Sequence, residues 1–87
     1  MDIAQAITEL ESSPSNVRFA RLVNVCTHFF GEPRIRGSHH IFRTPWQGDP
    51  RINLQAQRGG RAAPYQVRQV IAALKKHEAL YDDDNND

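Results

Sequence analysis

Four histidines and nine arginines carry most of the reactive chemistry in this 87-residue chain. His39 is the first to weigh, because it follows Arg34-Ile35-Arg36-Gly37-Ser38. Gly-Ser between two β-type runs reads as a tight hairpin turn, with Gly37 free to take positive φ. That turn sets His39 opposite Arg36, and cross-strand neighbours have Cβ atoms ~4.5–5.5 Å apart. An imidazole ordinarily exchanges its proton near pH ~6.5. A guanidinium stays charged and offers phosphate a planar fork of donors. With Arg34 and Arg43 close by, the combination suits acid–base chemistry at a phosphodiester: the imidazole moves a proton and the guanidiniums hold the phosphate. RNA supplies its own nucleophile, the 2′-hydroxyl, so neither metal nor activated water is obligatory. The plain alternative is a surface strand histidine with no role.

Other constellations are weaker. Cys26, His28, His39 and His40 form a C-x-H…H-H set with a zinc-like composition. On a helix, positions 26 and 28 lie ~200° apart, and successive strand residues face opposite ways, so no metal site is expected. Cys26 falls in an apolar stripe, where a free cysteine acts as a small hydrophobe. His28 and His77 read as solvated helix residues. Trp46 reads as a lid on the edge of the core rather than a base-stacking platform, and Tyr65 is left undecided. The basic loop Arg58-Gly59-Gly60-Arg61 suits phosphate contact or is simply a turn. No Walker loop, G-x-S-x-G elbow or paired-carboxylate site is present. No cofactor is expected.

The charge is polarised along the chain. The net charge is only +1, but from residue 18 to residue 76 all 11 bases meet just two acids, Glu32 and Asp49. Nine of the 11 are arginine, a bias that fits phosphate better than mere solubility. Residues 81–87 hold four Asp and no base, and their composition predicts an acidic disordered tail.

The elements that would position His39 follow from periodicity. Asp2 caps a first helix to about residue 11, with Ile3, Ile7 and Leu10 on one face. Ser12-Ser13-Pro14-Ser15-Asn16 breaks it. A second helix over 19–30 buries Phe19, Leu22, Val23, Cys26 and Phe30 as one stripe, and Gly31 stands where a helix-ending glycine belongs. Three strands follow: 34–36, 39–44, and 51–55 with Ile52 and Leu54 inward. A loop over 45–50 is fenced by prolines. In the second strand, Phe42 and Ile41 cannot both face a one-sided core, and alternation leaves its inward face open. Pro64 suits the first turn of a last helix ending near residue 79 or 80, with Val67, Val70, Ile71 and Leu74 inward.

The expected architecture is therefore α+β: a three-stranded antiparallel sheet backed by helices on one face. Residues 1–80 form a single domain, with 1–16 as an N-terminal extension and 17–80 as the core. No apolar run approaches the ~18 residues of a membrane helix. Residues 1–13 lack the basic and apolar regions of a secretory signal. A single cysteine excludes an intramolecular disulfide, and the chain is expected to be cytoplasmic.

At Arg36-Gly37-Ser38-His39-His40-Ile41-Phe42 the sequence resembles the HicA family of bacterial toxins, the RNA-cleaving partners in HicA–HicB toxin–antitoxin systems. Phe30-Gly31, then Arg36-Gly37-Ser38-His39, then 51–55, then 65–74 match that family's pattern in order. The resemblance spans roughly residues 17–77. It implies a double-stranded-RNA-binding-like α-β-β-β-α fold, here with an extra N-terminal helix. It also implies metal-independent cleavage of mRNA by the histidine after Gly-Ser, which is His39, and neutralisation by a HicB-type antitoxin protein. The first helix, the long 45–50 loop and the acidic tail depart from the family pattern without touching the motif.

The expected function is thus a ribonuclease toxin. His39 is its catalytic base or acid, Gly37 and Ser38 are the presenting turn, and Arg34, Arg36, Arg43, Arg58 and Arg61 bind RNA. A non-catalytic RNA-binding module of the same fold is the rival. A winged-helix DNA binder fits less well, since the bases concentrate on strands and loops rather than on a recognition helix.

Overall fold

The structure, a computed structural model, describes residues 1–85, with side chains through Tyr81. In chain order the elements are α1 (Ile3–Ser12), α2 (Phe19–Phe30), β1 (Arg34–Arg36), β2 (His39–Phe42), β3 (Ile52–Gln55), a short 3-10 turn (Arg58–Gly60) and α3 (Pro64–Asn85). The Asp2 carboxylate accepts from the Ala4 N–H at 2.9 Å and caps α1, satisfying an otherwise orphaned donor. Gly31, at φ +86, ends α2 and donates its N–H to the Thr27 carbonyl at 3.0 Å.

The strands form one antiparallel sheet in the order β1-β2-β3. One face is covered: α2 packs on β2, α3 packs on β3, and α1 lies against α3. The core between these layers joins Leu10, Leu22, Val25, Ile52, Leu54 and Leu74, all essentially excluded from solvent. Each such aliphatic side chain stabilises the fold by ~1.5–3 kcal/mol relative to its exposed state.

This packing settles the orientation of β2. Phe42 points inward and is 5% exposed, and His40 shares its side, with its ring edge-on to Phe19 at 5.2 Å. His39 and Ile41 therefore lie on the uncovered face. β1 extends beyond the helices: all three of its residues are exposed, Ile35 by 55%.

Three features differ from the sequence reading. First, α1 is no appendage, because Ala6, Ile7 and Leu10 are buried in the common core. Second, α3 continues through Asn85 instead of stopping near residue 80, so 81–85 are helical where composition predicts a disordered tail. Helix propagation costs little once a long helix exists, and no glycine or proline follows Pro64 within it. Asn86 and Asp87 lie outside the described residues. Third, His77 is half-buried rather than fully solvated. Its ring packs on Phe30 at 5.2 Å and Tyr81 at 4.5 Å, and burial pushes its imidazole below the ordinary value. Among the described residues, no helix is long and apolar enough to cross a membrane.

Candidate functional site

The uncovered face of the sheet is assembled by register. β1 pairs with β2 so that Arg34 lies opposite Ile41 and Arg36 opposite His39. β2 pairs with β3 so that His39 lies opposite Gln55 and Ile41 opposite Asn53. Alternation then places Arg34, Arg36, His39, Ile41, Asn53 and Gln55 on one surface, with Arg43 and Arg51 exposed just past the end of β2 and just before β3, while Phe42, Ile52 and Leu54 fill the core beneath.

The turn that presents His39 is the expected one. Gly37 has φ +58 and Ser38 does not have positive φ, the sign pattern of a type II′ hairpin turn. A side chain at position 37 would be strained by its φ, although open space surrounds the missing Cβ. The Ser38 hydroxyl oxygen accepts from the Gln55 side-chain amide at 2.8 Å. The backbone N–H of Gln55 donates to the Oε1 of Gln66 on α3 at 3.2 Å, and Gln66 is itself buried. The turn is thus tied through β3 to the last helix. The ring of His39 is half-buried, and its Nδ1 lies 2.9 Å from Asn53 Oδ1. Nε2 has no protein partner among the described residues.

The arginines of this face are exposed and, among the described residues, have no carboxylate partner within 4.0 Å. The ion pairs among the described residues, Arg21–Glu9 at 2.7 Å and Lys75–Glu11 at 2.9 Å, both bind helix to helix on the covered side. Arg34 and Arg43 line a concavity of about 330 Å³ together with Phe30, Glu32 and Ile41. A larger open concavity of about 890 Å³ adjoins it on the other side of Ile41 and is bordered by Trp46, Arg51 and Asn53. Like charges gathered on one face repel, and a bound polyanion relieves that repulsion.

The structure sets Arg36 opposite His39, and Arg34 and Arg43 border one concavity beside Ile41. Arg58 and Arg61 stand apart. Arg58 opens the 3-10 turn, and Arg61 forms an isolated antiparallel bridge with Arg18 at the start of α2. Arg51, Asn53 and Gln55 belong to the site and were not singled out from sequence. Ile52 and Leu54 facing inward was the signal that sends all three outward. Trp46 is a core-edge residue: it meets Phe30 edge-on, donates from Nε1 to the Pro50 carbonyl at 3.0 Å, and carries the Lys76 ammonium 5.0 Å from its ring centre.

The C-x-H…H-H set does not converge. Cys26 is fully buried, and desolvation pushes its thiol up to about 12, far from thiolate chemistry at neutral pH. His39 and His40 face opposite sides of β2. No group of three or more potential metal ligands occurs among the described residues.

No protein-family model, curated protein or solved structure matches the chain. Function is therefore read from the site, since a fold by itself supports many activities.

Proposed function

We propose that this protein is a metal-independent endoribonuclease that cleaves mRNA with His39, and that it acts in the cytoplasm as a HicA-type toxin neutralised by a HicB-type antitoxin. The observation that carries this reading is an imidazole on an exposed sheet face, directly opposite Arg36, with Arg34 and Arg43 bordering a concavity beside Ile41 on the same face; among the described residues, its Nε2 has no protein partner and no carboxylate pairs with these arginines. The resemblance of Arg36-Gly37-Ser38-His39 to the HicA motif supports the same assignment.

The chemistry follows from those groups. The arginines bind the phosphodiester and stabilise the charge that builds on its non-bridging oxygens. The 2′-hydroxyl loses its proton as its oxygen attacks phosphorus, and the bond from phosphorus to the 5′ oxygen breaks with a proton delivered to that oxygen. His39 Nε2 serves as base for the first proton or acid for the second. The open concavities on either side of Ile41 leave room for the nucleotides flanking the scissile bond. An antitoxin that neutralises the enzyme covers this basic face.

The test is RNA cleavage by His39→Ala and His40→Ala, with thermal melts in parallel. His39→Ala loses ~10²–10⁴ in rate, the usual contribution of a positioned acid–base group. Its melting changes little, because surface substitutions usually stay within ~0.5 kcal/mol. His40→Ala keeps most activity, since its ring faces Phe19 on the covered side. An active His39→Ala protein would return the chain to the RNA-binding module reading, and an inactive, fully folded His40→Ala would move the chemistry to the wrong face.

A further inference from the structure

We propose that Asn53 is the positioning residue of the site: its side-chain oxygen holds His39 as the Nδ1–H tautomer and aims the free Nε2 at the substrate. The proposal rests on His39 being the acid–base group and adds how that group is oriented.

The geometry is specific. His39 Nδ1 and Asn53 Oδ1 are 2.9 Å apart, a full hydrogen bond. An amide oxygen only accepts, so the ring nitrogen facing it carries the proton and the second nitrogen keeps its lone pair. The same bond survives when Nε2 takes up a proton, because both nitrogens of the imidazolium donate. One arrangement therefore serves both halves of a proton-transfer cycle.

Asn53 is also well placed to be rigid. It sits in β3 between Ile52 and Leu54, which are 2% and 1% exposed and anchor the strand in the core. Its register partner is Ile41, so it reaches His39 diagonally along the sheet face. Two residues on, Gln55 holds the Ser38 hydroxyl at 2.8 Å. The outward row of β3 thus holds both the ring and the turn that presents it.

A neutral amide suits this role better than a carboxylate would. His39 is faced by Arg36 from β1 and by Asn53 and Gln55 from β3, with Ile41 next along its own face. The surface is built to attract phosphate. A carboxylate at position 53 would orient the ring equally well, but it would offset the arginines and repel the substrate.

The test has two readouts. The first needs no RNA: two-dimensional ¹H–¹⁵N correlation of histidine-labelled protein, at a pH where the ring is neutral, reports which nitrogen bears the proton. Wild type shows protonated Nδ1 at His39, and Asn53→Ala relaxes toward the Nε2–H form favoured in water. The second is kinetic. Asn53→Ala loses about 10²-fold in kcat, as misplaced catalytic groups do, with KM nearly unchanged. Asn53→Asp recovers much of that kcat, raises KM, and shifts the imidazole limb of the pH profile upward, because an adjacent anion favours the imidazolium. A merely structural residue would produce none of this pattern, and Asn53 is exposed, so melts should stay near wild type. The proposal is overturned if wild-type His39 carries its proton on Nε2, if Asn53→Ala leaves the tautomer unchanged, or if its kcat equals wild type in an enzyme that His39→Ala inactivates. If His39→Ala stays active while the tautomer still depends on Asn53, the ribonuclease reading fails and the orienting contact stands.

Discussion

Replacing arginines of the sheet face by glutamine gives a quantitative test of RNA binding. Four arginines border the face of His39: Arg34 and Arg36 by strand register, and Arg43 and Arg51 in the concavities on either side of Ile41. Each neutralised phosphate on a single strand contributes about −0.7 to the slope of log affinity against log salt. Four contacts therefore give a slope of about −2.8, and raising salt from ~50 to ~200 mM weakens binding roughly 50-fold. Arg36→Gln should flatten the slope to about −2.1 and the loss to roughly 18-fold. The control is Arg21→Gln, whose guanidinium is held by Glu9 on the covered side and should leave the slope unchanged. The assay is fluorescence anisotropy of a labelled single-stranded RNA, with every protein carrying His39→Ala so that the probe stays intact. Including Arg58 and Arg61 as contacts would steepen the slope to about −4.2, so glutamine at those positions decides whether the loop extends the track. A slope shallower than about −1, or equal effects at Arg21 and Arg36, would refute the electrostatic account.

Two further outcomes test the fold and its pH response. Leu10→Ala should cost ~2–5 kcal/mol, because Leu10 is fully buried against α3; at ~4–8 °C per kcal/mol this lowers Tm by at least ~8 °C, whereas a drop below ~2 °C would make α1 a dispensable appendage. His77 is held below the ordinary imidazole value by burial, so as pH falls from ~6.5 toward that lowered value the unfolded chain binds a proton the folded one does not. Stability falls through that window and levels off beneath it; the groups around the ring are Phe29, Phe30, Tyr81 and Glu78. Urea midpoints measured at ~pH 7.5 and ~pH 5 should differ less in His77→Phe than in wild type, and an identical difference would assign the acid sensitivity elsewhere.

The features the sequence determined are the ones set by local geometry. Gly37-Ser38 dictates a two-residue turn, and a two-residue turn dictates that Arg36 faces His39, whatever the rest of the chain does. Helical stripes and the alternation of β3 are equally local, so the buried Leu22, Cys26, Ile52, Leu54, Val67 and Leu74 were legible one by one. The features only the tertiary structure decided depend on contacts between distant segments. Alternation could not choose between Ile41 and Phe42 on β2, because the choice depends on which side α2 and α3 cover. The 81–85 segment carries a tail's composition, yet it continues a helix already nucleated and packed upstream. His77 reads as polar in sequence but is drawn into the aromatic cluster where α3 passes the end of α2. Asn53 stands beside His39 only through the β2–β3 register, and that register closes across the 43–51 loop, which is too long for a turn type to fix. The sheet pairs where burial of Ile52 and Leu54 is greatest, and this long-range burial is what sets the amide against the imidazole.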